Sequence, residues 1–295
     1  MNSRKIAFLL AFLATLIYGV SFTVAKEVMP KYIEPFGFIF LRVTGATILF
    51  WIAGLFLRSE RIESKDLIRI GFAAVFGMAV NQLSFFKGLD MTTPINASVI
   101  MVTTPILVLT FSTFLLNERA TLKKLAGIFI GLFGAIILIV FGKEMGVAEN
   151  APLGNFFVFI NAALYALYLI IVKNLTKKYH PVTLAKWLYL IGWVIVLPFG
   201  WSEFINIEWA ALTMPIWYRI GFIVVCTSFL TYLFNLFAIR QLKPTTLSIF
   251  IYLQPVIASM YALFVESDSF NLIKIMATLL IFAGVYLVSQ KPKET

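Results

Sequence analysis

The sequence has little with which to do chemistry. Its 295 residues include one cysteine, Cys226, and one histidine, His180. A lone cysteine makes no intrachain disulfide and no cysteine metal cluster. A lone histidine nearly excludes histidine-based metal or acid–base chemistry. No phosphate-binding loop, zinc motif or nucleophile elbow occurs. The expectation is therefore no cofactor, no metal and no enzyme. Charge is scarce too: 13% of residues are charged and 61% are hydrophobic, against about a quarter and about half in soluble domains. Mean hydropathy is +0.93, which is more apolar surface than one core can hide. A soluble globular protein, a disordered chain and a nucleic-acid binder are excluded. The net charge of +10 has to be read loop by loop in a membrane protein.

What is abundant is apolar runs. Ten cover residues 6–25, 36–57, 68–86, 95–116, 122–141, 153–172, 183–202, 215–238, 245–265 and 271–289. A crossing helix needs about 20 such residues, and the connections are short. The fold class expected is all-α integral membrane, with ten transmembrane helices and antiparallel neighbours. Lysine and arginine set the orientation. With the N-terminus cytoplasmic, sixteen fall inside: Arg4, Lys5, Arg58, Arg61, Lys65, Arg69, Arg119, Lys123, Lys124, Lys173, Lys177, Lys178, Arg240, Lys243, Lys291 and Lys293. Five fall outside: Lys26, Lys31, Lys87, Lys143 and Lys274. Arg42, Lys186 and Arg219 stand near or inside segments. This bias puts both termini in the cytoplasm. Segment one is too long for a signal-peptide core and resembles segment six, so it is read as a retained helix.

The two halves look alike. A shift of 150 residues lays Pro94 on Pro244, Ser98 on Ser248, Pro105 on Pro255, Lys124 on Lys274 and Gly134 on Gly284. Glu118 meets Asp268. Near the start a shift of 147 lays Tyr18 on Tyr165 and Lys26 on Lys173. The reading is two five-helix repeats, residues 1–146 and 147–295. Five is odd, so the second repeat enters inverted. Inverted repeats are a common plan of secondary transporters, because two alike halves give two states of similar energy, one open to each side.

Pro105 and Pro255 sit near the middle of segments four and nine. Mid-helix proline removes a backbone hydrogen bond, and matched interruptions point to a transport site. Both are read as hinges; a plain packing kink is the other reading of either alone. Ser228, Thr231, Tyr232 and Asn235 share one helical face in segment eight. Segment three carries Asn81, Gln82 and Ser84. Segment six carries Asn161, Tyr165 and Tyr168, and segment one has Tyr18 at the matching place. Tyr252 and Gln254 stand beside Pro255. Polar faces avoid lipid, so these point inward. Two readings are open: glue between helices, or the lining of a cavity that mixes aromatic walls with a few amides. The amides and tyrosines are taken as substrate-binding candidates, the serines and threonines as glue. Arg42, about seven residues into segment two, is either a snorkelling anchor or a partner for a substrate carboxylate. Lys87 and Asp90 are read as a rim ion pair. Gly127, Gly131 and Gly134 permit close helix approach, for packing within the monomer or a dimer face. Asn96-Ala97-Ser98 has the glycosylation pattern but lies at the membrane end of segment four.

Every acidic residue lies at a segment end or in a loop. Proton-coupled carriers usually need a buried carboxylate. Transport by facilitated diffusion or exchange is the expectation.

Taken together, these features resemble the EamA branch of the drug/metabolite transporter superfamily. Thr103-Thr104-Pro105-Ile106 through Leu116-Asn117-Glu118-Arg119 looks like its "P…LxER" ending of helix four, and Pro255 through Glu266 is a weaker copy. Phe40-Leu41-Arg42 is similar to its arginine early in helix two, and Tyr18-Gly19-Val20-Ser21-Phe22 to its helix-one pattern. The resemblance spans about residues 6–289. It implies a plasma-membrane carrier, usually bacterial, often exporting amino acids or other small metabolites. It also implies a central cavity lined by helices one, three, four, six, eight and nine. The partners expected are a small-molecule substrate and membrane lipids, with no nucleic acid, in a monomer or homodimer. The runner-up functions are a flippase for a lipid or lipid-linked sugar, an intramembrane enzyme and a structural membrane protein.

Overall fold

The computed structural model describes residues 3–58, 60–91, 100–140, 151–265 and 272–290. Pro94, Asn96-Ala97-Ser98, Lys143, Glu266, Asp268, Lys291 and Lys293 lie outside them, as do the side chains of Lys26, Asp90 and Lys274. Among the described residues the chain is helical and holds no strand, with helix in each of the ten apolar segments. The cause is the apolar context, where a helix satisfies its backbone polar groups within itself. Six helices are long and apolar enough to cross a membrane: Ser3–Ser21, Pro35–Leu55, Ser64–Leu89, Pro152–Lys178, Pro181–Ile205 and Met214–Gln241. Thr104–Leu116, Pro244–Ile257 and Ile275–Ser289 are shorter apolar helices. Arg4 donates to the Ser289 carbonyl at 3.1 Å, so both ends of the chain meet on one side of the bundle.

Segments one, two, five, six, seven and ten are the regular helices Ser3–Val28, Pro35–Leu55, Leu122–Val140, Ala151–Lys178, Pro181–Ile205 and Leu272–Ser289. The other four are interrupted, in matched pairs. Segment three is helical over Ser64–Ala74, widens to a π turn at Val75–Ala79 and resumes as Val80–Met91. Segment eight runs Met214–Phe222, then π over Ile223–Leu230, then Thr231–Gln241. A shift of 150 residues drops the first π turn inside the second. Segment four breaks at Val102 and Thr103 before helix Thr104–Leu116. Segment nine runs Pro244–Ser248, tightens to 3₁₀ over Ile249–Tyr252, and continues as Leu253–Val265. The same shift lays residues 102 and 103 on 252 and 253.

These breaks correct the placing of Pro105, which is the second residue of its helix. In a first turn the missing N–H would have had no helical partner anyway, and the fixed φ suits the helix. Pro255 stands inside the continuous helical run of residues 244–265, just after its 3₁₀ turn. The backbone departs from α geometry just before each proline.

The packing repeats the symmetry. Segments five and ten pair closely, as do two and seven. A Cβ on Gly284 would lie 2.6 Å from the Gly127 carbonyl oxygen, and one on Gly134 would lie 2.8 Å from that of Ala277. Shifted by 150, the first contact becomes the second. The small-residue stripe of segment five thus packs within the monomer. The motif acid Glu118 forms a buried ion pair with Lys124, and Lys124 also reaches the Arg119 carbonyl. That pair closes the turn in which Asn117 takes a left-handed φ of 52°.

Candidate functional site

The site is best built outward from one hydrogen bond. Gln82 Nε2 donates to the Tyr232 hydroxyl at 3.2 Å. These residues are 150 apart, so each is the other's counterpart in the repeat. A contact between counterparts lies on the pseudo-two-fold axis. Tyr232 in turn donates to the carbonyl of Gly77, inside the first π turn, at 2.8 Å. Having given its proton there, it can only accept from Gln82. That fixes the amide: Nε2 faces Tyr232 and Oε1 is left over. Gln82 Oε1 is buried without a partner among the described residues.

Segment six closes one side. Asn81 and Asn161 each donate a side-chain N–H to the other's backbone carbonyl, at 2.9 and 2.8 Å. Among the described residues, Asn161 Oδ1 and the Tyr168 hydroxyl are buried without partners. Tyr168 packs at a tilt against Tyr165 and Tyr232, with ring centres 5.9 and 6.5 Å away. Gly77 allows this, since a Cβ there would stand 2.0 Å from the Tyr168 ring. Tyr18 lies within electrostatic reach of Tyr232, Tyr165, Arg42 and Tyr168. Tyr18 and Tyr165 sit among these buried side chains yet remain partly accessible.

Segment eight supplies the opposite wall, through its π turn. A π turn leaves carbonyls that side chains must satisfy. Ser228 donates to Ile223 O at 3.0 Å and Thr231 to Cys226 O at 2.9 Å. Arg42 Nε donates to Ser228 Oγ at 3.0 Å, and Tyr189 donates to the Ser228 carbonyl at 2.9 Å. Thr227 shares a 2.7 Å hydrogen bond with Ser21 of segment one. The widened turn brings both Thr227 and Ser228 inward; regular α spacing puts only one of them on that face. Arg42 is 8% exposed, so it points into the protein and does not snorkel. Among the described residues it has no carboxylate partner.

Tyr18, Arg42, Asn81, Gln82, Asn161, Tyr165, Tyr168 and Tyr232 are thus brought together. Tyr252 is not. It is fully buried against Gly131, where a Cβ would meet its ring at 2.4 Å, and so belongs to the packing of segment nine on segment five. Gln254 is partly exposed with its carbonyl beside Gly19, and Asn235 is partly exposed one turn beyond Tyr232. Tyr189 was missed by the sequence reading. One signal was available: a shift of 147 lays Arg42 on Tyr189, and both bind Ser228.

Each end of this cluster is strapped by ions. Glu27, ending segment one, pairs with Arg219, opening segment eight. Clefts of about 340 and 380 Å³ adjoin that pair, lined by Tyr32, Tyr261 and Phe222 among others. At the opposite end Lys178, ending segment six, pairs with Asp66, opening segment three, at 2.8 Å. Asp66 also holds Tyr179 and Arg69, each at 3.0 Å. Arg69 and Arg219 are counterparts under the 150-residue shift. Lys186 lies over the Trp51 ring at 4.7 Å. His180 caps segment seven by accepting from the Val182 N–H.

A two-repeat bundle with its polar centre on the repeat axis has a family to match. The model of the EamA-like transporter family fits residues 5–140 and again 152–290. The chain belongs to the EamA-like transporter family, within the drug/metabolite transporter superfamily. It is 24% identical over 298 residues to a protein of Archaeoglobus fulgidus named an uncharacterized transporter, covering 99% of each chain. It is 25% identical over 243 residues to the uncharacterized transporter YyaM of Bacillus subtilis, covering 82% of this chain and 78% of that one. YoaV of the same organism, named likewise, is 26% identical over 279 residues, with 92% and 93% covered. One crystal structure superposes with a TM-score of 0.80 at 17% identity, covering 97% of each chain; that likeness concerns the fold alone. EamA membership and these names indicate a multi-pass membrane transporter and point away from an enzyme.

Proposed function

We propose that this EamA protein is a secondary transporter that exports a small zwitterionic or aromatic metabolite, such as an amino acid, across the plasma membrane by alternating access. In this reading the chain crosses ten times, as repeats 1–146 and 147–295, with both termini cytoplasmic. The observation that carries it is the hydrogen bond between the counterparts Gln82 and Tyr232. A site on the repeat axis is equally distant from both faces, which is what a carrier with two states related by a pseudo-two-fold rotation requires. Aromatic walls with a few unpartnered amides suit a small amphipathic cargo.

The Glu27–Arg219 pair is the outer gate and the Asp66–Lys178 pair the inner one. The breaks before Pro105 and Pro255 are where the halves flex. The test compares metabolites outside cells expressing wild type with those outside cells expressing Asn81→Ala/Gln82→Ala at matched levels. A compound enriched by the wild type and lost in the variant supports export through this site. Equal enrichment by both contradicts it.

A further inference from the structure

Arg42 is more than nine-tenths buried at the centre of an apolar bundle. Only its Nε is used, on Ser228 Oγ. Among the described residues, neither terminal nitrogen of the guanidinium has a hydrogen-bond or ion-pair partner. These two nitrogens form the fork that grips a carboxylate bidentately. A carboxylate of the chain itself would be the ordinary partner for a buried cation. None of the described acids is paired with it: Glu27, Asp66 and Glu118 are each committed to a lysine or arginine at a segment end, Glu203 accepts from the Gly37 N–H and Glu60 from the His180 N–H. Tyr18, Tyr189 and Tyr232 lie within electrostatic reach of Arg42, and none of them is an anion at neutral pH. Beyond Tyr232 stands the unpartnered acceptor Gln82 Oε1.

We propose that the cargo is an aromatic carboxylic acid whose carboxylate docks on Arg42, and that the protein exchanges one such acid for another. The proposal rests on the transport reading above. Gln82 Oε1 accepts from a hydroxyl on the same molecule, so the cargo is a net monoanion. The exchange follows from charge. With a carboxylate bound, the guanidinium is neutralised and the site crosses between its two states without a net charge. Without cargo the halves have to close over an uncompensated cation, which is costly in a low dielectric. The empty carrier therefore returns slowly, and acid on the far side speeds the cycle.

The test uses the full chain in phosphatidylethanolamine/phosphatidylglycerol proteoliposomes. The probes are labelled phenyllactate, 4-hydroxyphenylacetate and their amides, with or without the same unlabelled acid inside. Wild type is expected to take up acid at least about tenfold faster into acid-loaded vesicles, and to carry the amides poorly. Arg42→Gln is expected to bind acid about 10- to 100-fold more weakly, the loss of one charged hydrogen-bonding site, and to lose its dependence on internal acid. Arg42→Lys keeps the charge without the fork, so it keeps that dependence at reduced affinity; it decides the matter if Arg42→Gln does not fold. Equal uptake into empty and loaded vesicles overturns the proposal. So do amides carried as well as acids, or Arg42→Gln behaving as wild type. Amides carried by wild type and not by Asn81→Ala/Gln82→Ala would overturn the carboxylate assignment and leave the axial site standing. No acid carried at all overturns the assignment of cargo, while the metabolite comparison still judges the site.

Discussion

At the residue scale the account turns on a few polar side chains whose partners are fixed by proton counting. Asn81 and Asn161 hold segments three and six together by a reciprocal pair. Asn161→Ala keeps the backbone carbonyl that accepts from the Asn81 amide but leaves the Asn81 carbonyl without its donor, and is expected to lower stability by about 0.6 kcal/mol, the average for inter-helix hydrogen bonds in membranes. Thermal unfolding in detergent checks it. Tyr232→Phe removes the donor to Gly77 and the acceptor for Gln82 at once. It is expected to reduce transport severalfold with the protein still folded, since the ring packing against Tyr168 and Tyr189 survives. Most of this cluster was legible in the sequence, because an amide or phenol within an apolar run must face inward to avoid lipid. Tyr189 was not, since a single tyrosine in an apolar segment looks like any membrane-interface aromatic. Tyr252 was legible as polar; that its ring packs against Gly131 was not, because Gly131 is remote in sequence.

At the element scale the sequence foretold where the helices bend and missed how. Proline marks segments four and nine, yet each break precedes its proline by a turn or less. The π turns of segments three and eight have no sequence rule to betray them. They are visible only as carbonyls taken by side chains five residues on, Ser228 to Ile223 and Thr231 to Cys226. The glycine stripe read from segment five holds as helix packing. Gly284→Ala would press a methyl into backbone atoms of Gly127 and Gly131 at 2.6 to 2.7 Å. It is expected to destabilise by about 1–3 kcal/mol, as overpacking does. Gly221→Ala is the control: nothing lies within 4 Å of its added Cβ, so the unfolding midpoint should hold or rise slightly. Equal losses in the two variants would contradict close packing of segments five and ten.

At the scale of the whole molecule the inverted repeat gives each proposed gate a counterpart. The helices that meet at Glu27–Arg219 correspond to those that meet at Asp66–Lys178. Releasing one pair should favour the state open at that end. Arg219→Gln is therefore expected to raise labelling of a central cysteine severalfold from outside, and Asp66→Asn from the cytoplasmic side. Among the described residues the acids stand at segment ends, so an imposed pH gradient should not drive uphill accumulation in proteoliposomes. Uphill accumulation would place a titrating group in the cycle. The central claim is that one axial site faces each side in turn. Its most direct test is Tyr18→Cys in a Cys226→Ser background, treated with a membrane-impermeant maleimide in right-side-out and inside-out vesicles. The account predicts labelling from both sides, with each reaction slowed by the transported compound. Labelling from one side only, or from neither, would contradict it.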